Sequence, residues 1–397
     1  MNPTVFVRDR FTWLAYLMLA YFSYLQAIPG PLMPFLRGEL GLSYTVGGLH
    51  FSALALGMVL SGLLTDHLVQ RAGRYAVFWT GGGGMAAGAL LLAVGRHPAL
   101  TIAGAGIMGL AGTGLLATIQ SALADRHGPN RVIALTESNV AASFAAGLSP
   151  LLVGGLQRAG IGWRGAIFGG VVLWALAYAI YRDERLPVSK APDESPAPSP
   201  AKRVRRSLPR AFWIYWTVQI FGVAAEWTII SWGADFLVGS GVMSKAAASA
   251  TMTFFFAAMV IGRATGSRLT RVIDQSRLLL LTIGIGLAGV LLFWLSPLVP
   301  LTLIGLFVAG LGVANFYPFV MSISVGIAAD QVDRASARIT LASGLAILLA
   351  PQTLGTAADQ IGIERAFGLV VALLVLAAVV SAAANRLVAR QSAPEHH

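Results

Sequence analysis

Long apolar segments alternate with short polar ones along almost the whole chain. Segments of about 20 apolar residues can cross a bilayer as helices, and the pattern predicts twelve of them, numbered here helix 1 to helix 12. They lie near residues 12–36, 44–66, 76–95, 99–124, 133–157, 163–181, 211–238, 246–267, 278–296, 299–325, 336–358 and 366–385. The pattern therefore predicts an all-α membrane protein.

The basic residues are distributed unevenly between the two sides that these helices define. Of the 28 Lys and Arg residues, 22 fall on the side that holds both termini. The other six are Arg37, Arg96, Arg158, Arg164, Lys245 and Arg365. Because loops rich in Lys and Arg stay in the cytoplasm, both termini are expected there. The net charge of +11 follows from this topology and does not indicate nucleic acid as a partner.

Composition narrows the possible classes of function. The chain is 56% hydrophobic and 11% charged, as expected of a protein embedded in a bilayer. It contains no cysteine, and its six histidines show no metal-ligand spacing, so we expect no metal and no other cofactor. We find no nucleophile spaced with a base and therefore expect no enzyme activity.

Residues 183–210 are rich in proline and basic residues, a composition typical of a flexible linker, and they divide the chain into two halves. The halves correspond at an offset of 201 residues, which maps Pro150 and Gly154 onto Pro351 and Gly355. We therefore predict two parallel six-helix bundles, residues 1–182 and 211–397, joined by a cytoplasmic linker. Repeats of this kind place a binding site near the membrane midplane.

Helix 7 carries a carboxylate, Glu226, near its middle. A charge at the centre of a bilayer costs about 2.5–3.5 kcal/mol even on the mildest insertion scale, so it usually faces a cavity or a partner. Gln219, Glu226 and Trp227 share one helix face. Glu226 is either a functional ionisable group or a structural one bonded to a neighbouring helix. We take it as the candidate proton-coupling residue.

A second motif follows helix 2. Gly62, Asp66 and Gly73-Arg74 match parts of G-x-x-x-D-(R/K)-x-G-R-(R/K), although His67 follows the aspartate and the extra residues LVQRA precede Gly73. Together with twelve helices and the 6+6 repeat, this motif resembles the major facilitator superfamily. The resemblance implies transport by alternating access. It also implies a gating latch between Asp66 and arginines, for which the candidates are Arg71, Arg74 and Arg268.

Four segments of the second half are similar to the fucose permease-like branch of that superfamily. They are FGVAAEW at 221–227, MVIGRATGSRL at 259–269, GLGVANFYP at 310–318 and LAPQTLG at 349–355. This similarity favours proton-coupled symport of a sugar-like solute, although Ala117 stands where fucose permease has an acidic residue. The alternative is drug or metabolite efflux by proton antiport, because Ser149-Pro150 and Gly154-Gly155 partly match the G-P-x-x-G-G motif of exporters.

Helices 1, 4, 7 and 10 line the cavity in this superfamily, which nominates the substrate-binding residues. They are Gln26, Gln120, Gln219, Trp227, Asn315 and Tyr317. Amides beside aromatic rings suit neutral hydroxylated ligands, and also amphipathic drugs or peptides. Because no Lys or Arg lies in the middle of a predicted helix, we expect a neutral or cationic solute rather than an organic anion. We expect a monomer in a bacterial inner membrane whose partners are that small molecule, protons and the lipid bilayer.

Overall fold

A computed structural model of the chain describes residues 6–187 and 207–392. Helix 1 has two parts, Arg10–Ala27 and Pro29–Leu40, which meet at an angle of 41°. The prolines that follow Ile28 cause this bend, since proline cannot continue the hydrogen bonding of a helix. Helices 2 and 3 lie within Tyr44–Val94. The others are Pro98–His127 (helix 4), Arg131–Arg158 (helix 5), Arg164–Tyr181 (helix 6), Arg210–Gly239 (helix 7), Lys245–Leu269 (helix 8), Gln275–Leu295 (helix 9), Val299–Val313 with Phe316–Ile327 (helix 10), Val332–Ile361 (helix 11) and Gly368–Ser392 (helix 12).

The helical segment Tyr44–Val94 is 51 residues long. At 1.5 Å per residue it would measure about 77 Å, more than twice the thickness of the hydrocarbon core. Its backbone leaves the helical conformation at Gly73, where φ is 82° and ψ is 158°. A positive φ of this size favours glycine. The segment is therefore two spans, helices 2 and 3, which meet at Gly73.

By length and hydropathy alone, eight helices among the described residues could cross a membrane, or nine if the bent pair in helix 1 is one span. Two of those segments are longer than one helix, since Tyr44–Val94 is divided at Gly73 and Pro98–Arg158 comprises helices 4 and 5. Helix 7 is missing from the set because Gln219, Glu226 and Asp235 lower its hydropathy. Residues 6–187 and 207–392 thus contain a helical segment at each of the twelve predicted positions, although the hydropathy criterion alone finds eight or nine.

The helices form two compact units that do not follow chain order. The first unit comprises Met1–Gln26, Leu56–Ala146 and Arg164–Ser207, and the second comprises Ala27–Ala55, Gly147–Trp163 and Leu208–His397. The predicted division at residues 183–210 stays a prediction, since most of that linker, residues 188–206, lies outside the described residues. The second unit thus contains helices 7–12 together with parts of helices 1, 2 and 5.

The first unit is tied together by close helix contacts and by ion pairs. Gly88 on helix 3 leaves no room for a side chain, because an added Cβ would lie 2.6 Å from the carbonyl oxygen of Gly104 on helix 4. Tyr21 donates a hydrogen bond to the carbonyl of Gly82, which joins helices 1 and 3. At the end of helix 4, Asp125 pairs with Arg74 at 2.6 Å. Gly88 therefore allows helices 3 and 4 to pack closely, and the Arg74–Asp125 ion pair connects the end of helix 4 to the beginning of helix 3.

Helix 7 runs through the second unit. It packs against helices 8, 10, 11 and 12 and against the second part of helix 1. Most of its residues are buried, and Phe236 near its end packs on the rings of Phe293 and Phe367 at centroid distances of 4.9 and 4.5 Å. Gln219, Glu226 and Asp235 on this helix are consequently enclosed by protein.

Candidate functional site

Glu226 lies in the middle of helix 7, where the sequence predicted an ionisable group. Its side chain is buried, with 8% of the residue exposed. The Oε1 atom lies 3.8 Å from Nη2 of Arg263 on helix 8, and half of that arginine side chain, 53%, is exposed. Glu226 thus has a charged partner, and the partner is the more accessible of the two.

Arg263 also contacts a break in helix 10. The first part of that helix ends at Val313 and the second begins at Phe316, so the carbonyl groups at the break lose their helical partners. Arg263 donates through Nε to the carbonyl oxygen of Ala314, at 3.3 Å. A cation is favoured at this position, because the C-terminal end of a helix carries a partial negative charge.

Asn315, the residue at the break, is buried with 3% exposed. Its Nδ2 donates to the carbonyl of Gly262 at 2.7 Å, next to Arg263 on helix 8. Gly266, one turn further along, leaves room for this amide, because an added Cβ would lie 2.7 Å from Cγ of Asn315. Asn315 therefore holds the break against helix 8, whether or not it also contacts a solute.

The structure corrects one expectation about charge. Arg263 is one of the 22 basic residues on the side that holds both termini, and because no Lys or Arg lies in the middle of a predicted helix we expected a solute that is not an anion. The helix continues to Leu269, and the long arginine side chain reaches Glu226 from one and a half turns inside that end. Sequence reasoning missed this residue because a helical pattern does not show how far a side chain extends.

The other two candidates on helix 7 have different neighbours: Gln219 contacts a polar side chain, and Trp227 packs against apolar ones. Gln219 is fully buried and donates through Nε2 to the hydroxyl of Ser343 on helix 11, at 2.8 Å. Its Oε1 atom is buried and has no hydrogen-bond partner among the described residues. Trp227 is half-buried and packs with Ile220 against an apolar cluster, which comprises Ala55, Val223, Ala224, Ala346, Ile347 and Ala350. Helix 7 therefore places an unsatisfied amide and an aromatic ring near Glu226 in the sequence.

The remaining candidates divide between the units. Tyr317 belongs to the second unit, is 40% exposed, and has its hydroxyl 3.5 Å from that of Thr340. Gln26 and Gln120 belong to the first unit. Gln26 has Met58 Sδ as a weak partner at 3.6 Å, and Gln120 is exposed. The second unit thus contains Gln219, Glu226, Trp227, Asn315 and Tyr317.

The predicted gating residues lie at the helix ends. Asp66, Arg71 and Arg268 are exposed. Arg74 is more buried, but the carboxylate that it contacts is that of Asp125 on helix 4, which sequence reasoning did not single out. The Asp66 latch stays a prediction, and Arg74 has a different partner here.

A second set of charged contacts lies in the part of the second unit that combines helices 1, 2, 7 and 11. Arg37 donates to Asp235 of helix 7 at 2.6 Å, and its guanidinium lies 3.3 Å from the ring centroid of Tyr44. Asp359 at the end of helix 11 accepts hydrogen bonds from the backbone N–H groups of Tyr44 and Thr45, at 2.7 and 2.8 Å. A carboxylate is favoured there, because a helix N-terminus carries partial positive charge. These contacts join the beginning of helix 2 to the second-half helices.

The repeated Pro-x-x-x-Gly pair takes part in the same packing. On helix 11, a Cβ added at Gly355 would lie 2.6 Å from the carbonyl oxygen of Tyr44 on helix 2. On helix 5, a Cβ added at Gly154 would collide with the carbonyl of Ala246 on helix 8. The corresponding glycines of the two halves therefore each allow a helix of the other half to approach closely. We call these two places the glycine crossings.

Known proteins resemble this chain in sequence and in fold. The family model described as Major Facilitator Superfamily matches residues 12–298. The chain belongs to this superfamily. Membership makes the chain a multi-pass membrane transporter of small molecules rather than an enzyme, as we expected.

Individual relatives agree with this assignment. An uncharacterised MFS-type transporter of Yersinia pestis is 25% identical over 367 residues, which cover 90% of this chain and 91% of that protein. The structure of a bacterial homologue of the human lysosomal transporter Spinster, inward-facing and occupied, has a TM-score of 0.81 at 15% identity and covers 98% of this chain and 100% of that one. The structure of the nucleoside transporter NupG has a TM-score of 0.69 at 15% identity and covers 95% of this chain and 98% of that one. These structures share the superfamily fold, while the fucose permease-like branch stays a prediction.

Proposed function

We propose that this superfamily member is a proton-coupled secondary transporter of a bacterial inner membrane, and that Glu226 binds the coupling proton. The observation that carries the proposal is the position of that carboxylate, buried in the middle of an unbroken helix with one arginine 3.8 Å away. Ionisable groups at this depth in membrane helices are rare and mark functional pathways.

Protonation would change the cost of moving helix 7. While Glu226 is ionised, its buried charge must keep Arg263 nearby, because an unpaired charge in a low-dielectric interior is strongly unfavourable. Once Glu226 is protonated, this restriction disappears. A carboxylate that must be either paired or neutral before the helices move links proton binding to alternating access.

The polar groups around helix 7 support a hydroxylated, sugar-like solute, carried in symport with the proton. Gln219 has a buried Oε1 acceptor without a partner among the described residues, and Trp227 is half-buried on the same face of the helix. Amide acceptors and aromatic rings together suit hydroxyl groups and sugar faces. Antiport of a drug or metabolite would use the same fold, and the direction of proton movement separates the two.

Glu226→Gln tests the coupling. A thermal-shift screen of the purified protein against sugars, amino acids, drugs and small organic acids first identifies a solute. In proteoliposomes the variant should lose pH-gradient-driven accumulation of that solute while keeping solute exchange, because glutamine is permanently neutral. Symport predicts proton movement with the solute, and antiport predicts movement against it.

Glu364→Gln is the matched control. Glu364 is an exposed carboxylate after helix 11, and its glutamine variant should accumulate solute as the wild type does. A Glu226→Gln protein that still concentrates solute under a pH gradient would contradict the proposal.

A further inference from the structure

Arg263 has hydrogen-bond donors that the proposed proton cycle does not use. It is the partner of Glu226, yet its side chain is 53% exposed, while that of Glu226 is 11% exposed. A guanidinium has five N–H donors. Among the described residues, its hydrogen bond through Nε goes to Ala314, and the 3.8 Å separation of Nη2 from Glu226 is longer than a hydrogen bond. Most of its donors are therefore available to a ligand.

The accessible side of Arg263 is expected to face water or protein and not lipid, as arginines in membrane helices do. Helix 8 is anchored at this point, because Asn315 bonds to Gly262 and Ala314 accepts from Arg263. The guanidinium is thus held in place by the break in helix 10. A fixed, half-exposed guanidinium beside a buried carboxylate is an anion site whose occupancy depends on that carboxylate.

We propose that the transported solute carries a carboxylate, and that Arg263 binds it when Glu226 is protonated. This inference rests on the proposed proton coupling at Glu226 and names the class of solute. Arginine suits the role because its planar fork matches the two oxygens of a carboxylate. Ionised Glu226 competes for the same positive charge, so the proton and the solute anion are favoured together.

The charge balance favours a monoanion. In the resting state Glu226 and Arg263 carry one negative and one positive charge. When a proton neutralises Glu226, one carboxylate restores the balance, and the pair moves as one proton with one anion. A phosphate ester would bring a second negative charge, and a neutral sugar would leave the arginine uncompensated. About two turns from Glu226, helix 7 also carries the acceptor of Gln219 that has no partner among the described residues and would suit a hydroxyl group, so the solute expected is a hydroxylated monocarboxylate resembling a sugar acid.

The other charges on the elements around helix 7 do not take this role. Helices 8, 10, 11 and 12 and the second part of helix 1 pack against helix 7. From these elements, Arg263 is the charged group that acts on Glu226. Arg37 and Lys245 act on Asp235, nine residues further along helix 7. The pH dependence of anion binding should therefore follow Glu226 and Arg263.

Acids matched with their uncharged amides test the proposal. Purified full-length protein is titrated with glucuronate and glucuronamide, gluconate and gluconamide, lactate and lactamide, and benzoate and benzamide, with binding followed by thermal shift and calorimetry. Each acid that binds should bind at least about tenfold more tightly than its amide. Its affinity should rise as the pH falls from about 8 to about 5.5, a range in which these acids stay ionised.

Three variants separate the roles. Arg263→Gln should lose at least tenfold in affinity for the acid and little for the amide, and Arg263→Lys should retain part of the preference. Glu226→Gln should bind the acid tightly at every pH in the range, because the competing charge is gone. Arg271→Gln is the control, an exposed arginine in the loop after helix 8, and it should behave as the wild type does.

Equal affinity for acid and amide, binding by none of the acids, or full affinity in Arg263→Gln would overturn the inference. These outcomes are distinct from failure of proton coupling. If Glu226→Gln loses accumulation but the solute is neutral, the proposed function stands without this substrate class. If acids require Arg263 but Glu226→Gln still accumulates them, the substrate class stands without that proton site.

Discussion

Asn315 shows how one side-chain amide can stabilise a break in a membrane helix. The break in helix 10 exposes backbone carbonyls, and unsatisfied backbone groups are strongly disfavoured in a bilayer. Arg263 binds the carbonyl of Ala314, and Asn315 binds that of Gly262, so helices 8 and 10 satisfy each other. The break is therefore a stable feature of the fold and not a distortion.

Asn315→Leu should lower stability by about 1–3 kcal/mol, since it removes a buried hydrogen bond and places a larger apolar group against Gly262 and Gly266. The melting temperature in detergent measures this. Asn139→Leu is the control, because Asn139 is exposed and bonds within its own helix to Leu135. An unchanged melting temperature combined with weakened solute binding would instead assign Asn315 to the solute.

At this scale the sequence predicted the polar residues of helix 7 but not their partners. Glu226 and Gln219 stand out because they interrupt an apolar segment, and both prove to be buried. Arg263 and Ser343 come from helices distant in the chain, and periodicity within one helix gives no information about them. A signal for the break did exist, since Pro318 in the segment ANFYP is typical of the first turn of a new helix.

At the scale of helices, the two glycine crossings determine how closely helices from the two sequence halves pack against each other within the second unit. Gly154 and Gly355 occupy corresponding positions of the repeat, and each faces the backbone of another helix. A side chain at either position would have to push that backbone away. The repeated Pro-x-x-x-Gly pair was predicted as evidence of duplication, and the structure adds that its glycines are packing sites.

Gly154→Leu and Gly355→Leu should each weaken this packing by about 1–3 kcal/mol, as overpacking does, which corresponds to roughly a 5- to 150-fold increase in the equilibrium constant for separating the packed helices. The reporter is Ala55→Cys, a buried position that would be the protein's single thiol. Its labelling by a membrane-impermeant maleimide should increase severalfold in both variants.

Gly155→Leu is the matched control for that experiment. Gly155 adjoins Gly154 in the chain, but a Cβ added there meets nothing within 4 Å. Labelling of Ala55→Cys should therefore stay at the wild-type rate. If all three leucine variants label alike, the crossings do not control access to this part of the second unit.

For the whole molecule, sequence alone supplied the twelve helices, the superfamily and the expected orientation. It could not supply the two compact units, because they depend on which distant helices pack together. Parts of helices 1, 2 and 5 join the second unit through contacts such as Arg37 with Asp235, and no local pattern encodes such pairings. Helix 10 was likewise predicted as one helix and is two.

The uneven distribution of basic residues predicts the orientation in the membrane. Ala72 and Ala159 are exposed, and the topology places the loop near Ala72 inside and that near Ala159 outside. In intact cells, an impermeant maleimide should label Ala159→Cys, while Ala72→Cys should react only in inside-out vesicles. The reverse result would invert the proposed orientation. The natural chain has no cysteine, so it serves as the unlabelled blank.

Helix 7 is continuous from Arg210 to Gly239, and it carries both Glu226 and Asp235. Nine residues separate them, which corresponds to about 13.5 Å along the axis and to roughly opposite sides of the helix. Glu226 faces helix 8, and Asp235 faces Arg37 on helix 1. The helix therefore carries one charge at its centre and another near its C-terminal end, on opposite sides. Because the two carboxylates lie on opposite sides, a sideways displacement of the whole helix that brought one carboxylate closer to its arginine would move the other away, and the two ion pairs would then report the same movement with opposite sign.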